Sequence, residues 1–412
     1  MKKSLFIMFI SFSLVLSACS EENSTKKGNE FSEKSELDRK LTEESITLDE
    51  VQDVSQDSDN LDLYSELDNT VSRYEKYYNF SGAVYVGIEG EEIYSKTFGK
   101  ADYDKDIPNT LDTKFIMASV TKQFTAAAIL LLEERGLLEI NHQVTDYLPG
   151  ATQWEGITIH HLLSMSSGIV NTDHQKFAEK FSEFIDNGGS SRSNFTSLPT
   201  TEEAIGIYND IPLNFKPGER YEYSNSNYII LGLIIEQISG KTYETFLEEN
   251  IFGPLEMLNS GSSVDWDIQE NKALGYEKIS SKNDVYPTPY NEYFFYSSAG
   301  GLYTTVNDLV IWDRALYSEK LLKKETINKM YAPYTKIPSN SYYESGFEYG
   351  YGWRSKGNIV EHAGHLPGYL GKIYRELDSE LVIIILSNNE YLGGGKINSL
   401  TNILTKIVNN NE

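Results

Sequence analysis

One stretch limits the possible folds more than any other. MASVTKQFTAAAIL, Met117 to Leu130, sets a lysine three residues after a serine at the head of an apolar run. Val120, Phe124, Ala127, Ala128 and Leu131 fall at helical spacing, and Gly136 supplies a stop. Residues three apart on a helix share a face, so Ser119 and Lys122 are neighbours on a segment that the pattern sends into the interior. An ammonium group loses its water when buried, at a high cost. Lys122 therefore either reaches solvent or acts on the serine beside it.

The flanking sequence supplies a sheet for that helix to pack on. SGAVYVGIEGEEIYSKTFG, Ser81 to Gly99, alternates around Gly90 and reads as a β-hairpin. Near the other end, NIVEHAGHLPGYLGKIYRELDSELVIIILSN reads as three strands with a turn at Asp378-Ser379, and LVIIIL as a buried one. Between them lie helical patterns: a short helix in ITIHHLLSMSSGI, Lys176 to Ile185, a segment after the capping-box pattern Thr200 to Glu203, and two helices broken at Gly240. A Gly/Ser-rich loop, NGGSSRSNFTS, interrupts them. Strands at both ends with helices between predict an α+β fold, an antiparallel sheet built from the two termini with a mainly helical insert.

The chain of 412 residues carries a formal net charge of -25, which argues against nucleic-acid binding. Its first residues, MKKSLFIMFISFSLVLSACS, have a basic start and a short apolar run, the pattern of a secretion signal rather than a spanning helix. LSAC, Leu16 to Cys19, resembles a bacterial lipobox and places the chain's single cysteine where acylation would occur. An ordinary cleaved signal or an uncleaved anchor is the competing reading. Ser20 to Asp62 holds fourteen acidic residues against five basic ones and reads as a disordered tether. As a flexible coil it would reach ~35–40 Å. The expected organisation is a leader over 1–18, an acidic tether over 19–62 and one folded domain over 63–412.

Three short motifs could carry chemistry. Ser119 to Lys122 offers a nucleophile with an adjacent base, near a helix N-terminus that favours developing negative charge. Taken alone this motif is weak, since it recurs at Ser24 to Lys27. Tyr223-Ser224-Asn225 offers a phenol for moving protons and an amide for holding substrate. His362-Ala363-Gly364, on a strand, offers a cationic or hydrogen-bonding side chain and a glycine that lets substrate approach the backbone. His142, His160 and His161 read as structural, and no metal or cofactor is implied.

In their order and setting these motifs resemble the serine β-lactamase and penicillin-binding-protein superfamily, in its class C-type branch of DD-peptidases, β-lactamases and esterases. The resemblance runs from about Tyr77 to Asn389. It includes FIMASVTKQFTAAAILLLEERGLLEI, FKPGERYEYSNSNYIILGLIIEQISGKTYETFLEENIFGPLEM, SSAGGLYTTVNDLVIWDRAL and HAGHLPGYLG. It implies a covalent acyl-enzyme formed on Ser119, with Lys122 as its base and Tyr223 shuttling protons to and from the leaving group. It implies that Asn225 hydrogen-bonds substrate and that His362, where many relatives carry lysine, steadies a substrate carboxylate or the Tyr223 proton. The implied oxyanion hole is the backbone N–H of Ser119 and of His365, the residue after Gly364.

Met165 and Glu256 stand where relatives often have histidine and glycine, and both read as structural variation. The expected substrates are D-alanyl peptides, amides or esters of the cell envelope, and β-lactams, met outside the cytoplasm from a lipid anchor on Cys19. A class C-type β-lactamase, a teichoic-acid D-alanyl esterase and a non-catalytic penicillin-binding or sensing protein are the rival readings. The segments Asn171 to Phe215 and Asp265 to Phe295, where the resemblance fades, are expected to shape the substrate pocket.

Overall fold

The computed structural model describes residues 56–187, 201–208, 210–281, 284–288, 297–339 and 346–411. Cys19, the Gly/Ser-rich loop from Gly188 and the Thr200 cap lie outside the described residues. So do the tether up to Ser55 and part of the second pocket-shaping segment.

An eight-stranded sheet organises everything else. Its strands are β1 (Gly82–Ile88), β2 (Glu91–Phe98), β3 (Thr335–Lys336), β4 (Glu348–Tyr349), β5 (Arg354–Lys356), β6 (Ile359–Leu366), β7 (Tyr369–Glu376) and β8 (Leu381–Ser387). They lie in the order β3-β4-β5-β6-β7-β8-β1-β2, and every neighbouring pair is antiparallel. The N-terminal hairpin thus docks on the last strand, with Gly82 opposite Ser387 and Gly87 opposite Val382. The hairpin turns at Glu89 and Gly90, both at positive φ (51° and 88°), a twist that suits tight hairpins. The sheet built from the two termini is as the alternation predicted.

β8 is buried on both faces, which explains its unbroken apolar sequence. Val382, Ile384 and Leu386 point into the larger core beneath the helical insert, while Leu381, Ile383 and Ile385 point into a second core on the far face. That far core is closed by α1 (Gln56–Tyr78) and by the last helix of the chain. In α1, Leu63, Leu67, Val71 and Tyr74 are buried at helical spacing.

On the near face lie α2 (Lys122–Glu134), α3 (Asn225–Ser239) and α4 (Val306–Ala315). The chain closes with α5 (Gly393–Asn411) on the far face. α2 is buried from Lys122 through Leu132. Several of its polar atoms are answered individually. Trp312 Nε1 donates to Gln123 Oε1 at 3.0 Å, and Thr125 Oγ1 donates to the Ser298 carbonyl at 2.6 Å. Gly240 ends α3 at φ 67°, the left-handed stop that the sequence predicted. Among the described residues, no helix is long and apolar enough to cross a membrane.

Candidate active site

Ser119 does not sit in the α-helix itself. It lies in a 3-10 turn, Ala118–Thr121, that leads into α2. Ala118, just before it, is held at φ 49°, a left-handed conformation that costs a β-carbon-bearing residue roughly 1–2 kcal/mol. The sheet imposes that turn at close range. A Cβ on Gly364 would fall 2.7 Å from Ser119 N and overlap the Met117 carbonyl. Gly371, directly across from Gly364 on β7, would place a Cβ 2.9 Å from the same carbonyl. Two facing glycines thus let the nucleophile's backbone rest on the sheet.

Lys122 is fully buried one turn beyond the nucleophile. Its Nζ lies 3.1 Å from Ser119 Oγ, 2.8 Å from Asn225 Oδ1 and 2.6 Å from the Ala299 carbonyl oxygen. The rings of Tyr223 and Tyr228 complete its surroundings, at 4.9 and 5.6 Å. Burial pushes its pKa well below the usual lysine value. The three contacts would also satisfy an ammonium, and it is burial that favours the free amine. Its two N–H bonds meet the two carbonyl oxygens, and its lone pair is left to accept the Ser119 proton.

Asn225 is the first residue of α3, and its backbone N–H donates to Asn171 Oδ1 at 2.7 Å. With Oδ1 occupied by Lys122, its NH2 group is what it can offer a substrate. Met165 is more than a neutral variation. Its Sδ accepts from the Ser224 N–H and from Asn227 Nδ2, both at 3.4 Å, so it supports the second motif from below.

The histidine of the third motif lies in the interior. His362 is only 2% exposed. Its Nδ1 lies 2.8 Å from the Ala363 carbonyl and its Nε2 lies 3.0 Å from the Tyr349 hydroxyl. A carbonyl only accepts, so Nδ1 carries the proton, and the neutral ring then takes the Tyr349 hydrogen at Nε2. Burial, then the charges of Arg354 and Lys122, hold the His362 pKa well below its ordinary value. Tyr349 is buried too, and burial beside other tyrosines pushes its own pKa well up, so its hydroxyl stays protonated. Of the two roles expected of His362, this setting favours a neutral hydrogen-bonding ring over a cation that steadies a substrate carboxylate, because the third motif's strand lies inside the protein at that point.

The His365 side chain points to solvent and pairs with Glu390 at 3.0 Å, leaving the backbone amide as what His365 brings to the site. Glu390 also accepts from the Gly368 N–H at 2.8 Å, which ties down the turn after β6. Tyr223, Tyr349 and His362 form one aromatic group, with Tyr223 centroids 6.3 Å from Tyr349 and 6.5 Å from His362. Tyr349 and Glu390 carried no motif that could reveal them, and Asn171 and Ala299, though within stretches singled out above, were given no role of their own.

The other histidines have structural partners. His160 Nδ1 lies 2.7 Å from the Tyr351 hydroxyl, His161 caps its own short helix, and His142 pairs with Glu139. Among the described residues, no group of three or more His, Cys, Asp or Glu side chains could hold a metal ion.

The Beta-lactamase family model matches residues 67–404, and the chain belongs to that family, within the serine β-lactamase and penicillin-binding-protein superfamily. A penicillin-binding protein of Bacillus subtilis is 30% identical over 328 residues, covering 76% of this chain and 69% of that protein. An octameric penicillin-binding protein homologue from Pyrococcus abyssi superposes with a TM-score of 0.69 at 29% identity, over 83% of this chain and 77% of that one. A penicillin-binding protein from Bacillus halodurans gives 0.67 at 25% identity, over 82% and 99%. The protein is a serine hydrolase of this fold.

The neutral ring of His362 depends on Tyr349. Tyr349→Phe removes the donor to Nε2 and should lower kcat/KM about 10-fold, the size of one lost buried hydrogen bond, with the fold retained. Nitrogen-15 NMR of histidine-labelled protein at neutral pH should show His362 as the Nδ1–H tautomer in the wild type and as a mixture in the variant. An imidazolium in the wild type would contradict the assignment.

Proposed function

We propose that the protein is an extracytoplasmic enzyme, anchored to the bacterial cell membrane by a lipid on Cys19, that forms an acyl-enzyme with D-alanyl peptides, amides or esters of the cell envelope. The observation that carries the chemistry is Lys122 Nζ, dehydrated and 3.1 Å from Ser119 Oγ. As Oγ attacks the substrate carbonyl, its proton passes to Lys122. The tetrahedral oxyanion is placed against the Ser119 N–H and the amide of His365, which follows the glycine packed on Ser119. The bond to the leaving group then breaks, and the proton travels from Lys122 through Tyr223 to that group. Water repeats the sequence and returns the proton to Ser119.

The choice of D-alanyl substrates is supported by the penicillin-binding names of the relatives and by the order of the three motifs. The neutral His362 favours ester and amide substrates over those held through a free carboxylate by that residue. The anchor is supported by the leader sequence and by the position of the single cysteine.

Two experiments test this reading. The first incubates the purified protein with D-alanyl peptides, D-alanyl esters and a penicillin, and reads the intact mass. Wild type should gain an acyl group from at least one D-alanyl substrate and Ser119→Ala from none. An acyl adduct on Ser119→Ala would remove Ser119 from its role, and D-alanyl substrates that are never bound or turned over would overturn the substrate class. In the same assays, the kcat/KM ratio of a carboxylate-bearing to a neutral D-alanyl substrate should stay flat from about pH 5.5 to 8.5, because His362 is already neutral. A ratio that falls through about pH 6.5 would restore a charged histidine.

The second experiment concerns the anchor. Cys19→Ser should move the protein out of the membrane fraction or leave its leader uncleaved. Unchanged retention with normal processing would rule out lipidation.

A further inference from the structure

Lys122 is not the only polar side chain of α2 that reaches the single helical turn Ser297–Gly300. Thr125 lies three residues further along and shares the lysine's face. Lys122 Nζ contacts the Ala299 carbonyl oxygen at 2.6 Å, and Thr125 Oγ1 donates to the carbonyl of Ser298, the residue before it, at 2.6 Å. The amine and a neutral hydroxyl thus hold consecutive carbonyls of one backbone turn.

The threonine hydroxyl is itself aimed. Thr125 Oγ1 lies 2.7 Å from the Tyr243 hydroxyl. A carbonyl only accepts, so the Thr125 proton goes to Ser298, and Tyr243 donates to Thr125. Burial pushes the Tyr243 pKa up, so that proton is kept. A hydroxyl that accepts a hydrogen bond donates a stronger one in turn. Glu244, next to Tyr243, accepts from Ser297 Oγ at 2.6 Å. Two consecutive residues of the short helix Tyr243–Leu247 therefore hold two consecutive residues of the turn, Tyr243 through Thr125 and Glu244 directly. The fit is close, since a Cβ on Gly232 of α3 would fall 2.4 Å from Ser298 Oγ. Thr125, Tyr243 and Ser298 are 0%, 3% and 6% exposed, so removing one of these donors leaves its acceptor without water to answer it.

We propose that Thr125 and Tyr243 are positioning residues for the base. Their hydroxyl relay fixes the Ser298–Ala299 backbone, and so places the carbonyl that holds Lys122 Nζ beside Ser119 Oγ. Both act through Ala299 and not on the substrate. The inference rests on the reading of Lys122 as the base that takes the Ser119 proton.

The test measures kcat/KM of the purified protein from about pH 5 to 9 with p-nitrophenyl acetate, a neutral ester whose leaving group needs no proton. Thr125→Val keeps the shape and removes the hydroxyl, whereas Thr125→Ser keeps the hydroxyl and removes a methyl group. Thr125→Val should lower kcat/KM about 10-fold, the size of one lost buried hydrogen bond. Thr125→Ser should stay within about 2-fold of wild type, although the cavity it leaves lowers its unfolding midpoint by about 1–3 °C. Tyr243→Phe leaves the Thr125 donor in place but unaimed, and should cost about 3-fold. The pH profile separates positioning from packing. A carbonyl stabilises an ammonium more than an amine, so loosening the Ala299 contact should move the acidic limb to lower pH, by about half a unit in Thr125→Val and not at all in Thr125→Ser. Among the described residues, Tyr223, Tyr228 and His362 are the titratable groups that face Lys122. Burial holds Tyr228 protonated and His362 neutral, and Tyr223 is common to every variant, so the shift belongs to Lys122. A loss in Thr125→Ser as large as in Thr125→Val would overturn the proposal, and so would an acidic limb that stays or rises in Thr125→Val. Should Thr125→Val not fold, Tyr243→Phe carries the test, and wild-type kcat/KM with an unmoved limb in that variant would overturn it. Lys122→Ala keeps the two readings apart. Wild-type rates in Lys122→Ala would remove the base itself, whereas an inactive Lys122→Ala beside a fully active Thr125→Val would overturn the relay alone.

Discussion

An amine kept from water beside a serine hydroxyl is the interaction on which this structure turns. Lys122 is costly in the interior, and its position is paid for by the packing around it. α2 is buried along most of its length, and Asn225 and the Ala299 carbonyl give the amine two acceptors. The same packing strains Ala118 and brings Ser119 against facing glycines on β6 and β7. The desolvation that makes Lys122 unfavourable for stability is what makes it a base at neutral pH, an exchange of stability for function at one residue.

The sheet serves the site as a rigid back wall. β6 carries Gly364 against Ser119 and His362 against Tyr349, while α1 and α5 seal its other face. The cations at this wall do not meet substrate through His362. The His362 ring beside Tyr223 stays neutral, and on the far face Arg354 and Lys372 both contact Glu361. Neutrality at His362 limits like-charge repulsion on Lys122, which would otherwise compete with the proton that Lys122 must accept.

Much of this was legible in the sequence for physical reasons. The strand alternation, the apolar run of β8 and the glycine stops are local signals, and they located the sheet and the helices of the insert. Ser119, Lys122, Tyr223 and Asn225 were legible because each motif places its groups within one turn. Tyr349, Asn171, Ala299 and Glu390 were not, because their contacts are made only when distant segments meet. Tyr349 reaches His362 through the sheet, and Ala299 reaches Lys122 across 177 positions. The sequence left the charge of His362 open for the same reason, since the residue type allows a titrating group and only its burial favours the neutral ring.

The central claim is that Lys122 is a free amine at neutral pH. NMR titration of protein labelled with nitrogen-15 lysine, with Lys122→Arg used to assign the signal, measures this directly. Burial lowers the pKa, so the amine should predominate at pH 7 and take up its proton only as the pH falls. Acylation of Ser119 should be lost through the same acidic range. A Lys122 that titrates at the ordinary lysine value of about 10.4, with acylation unchanged across acidic pH, would contradict the account.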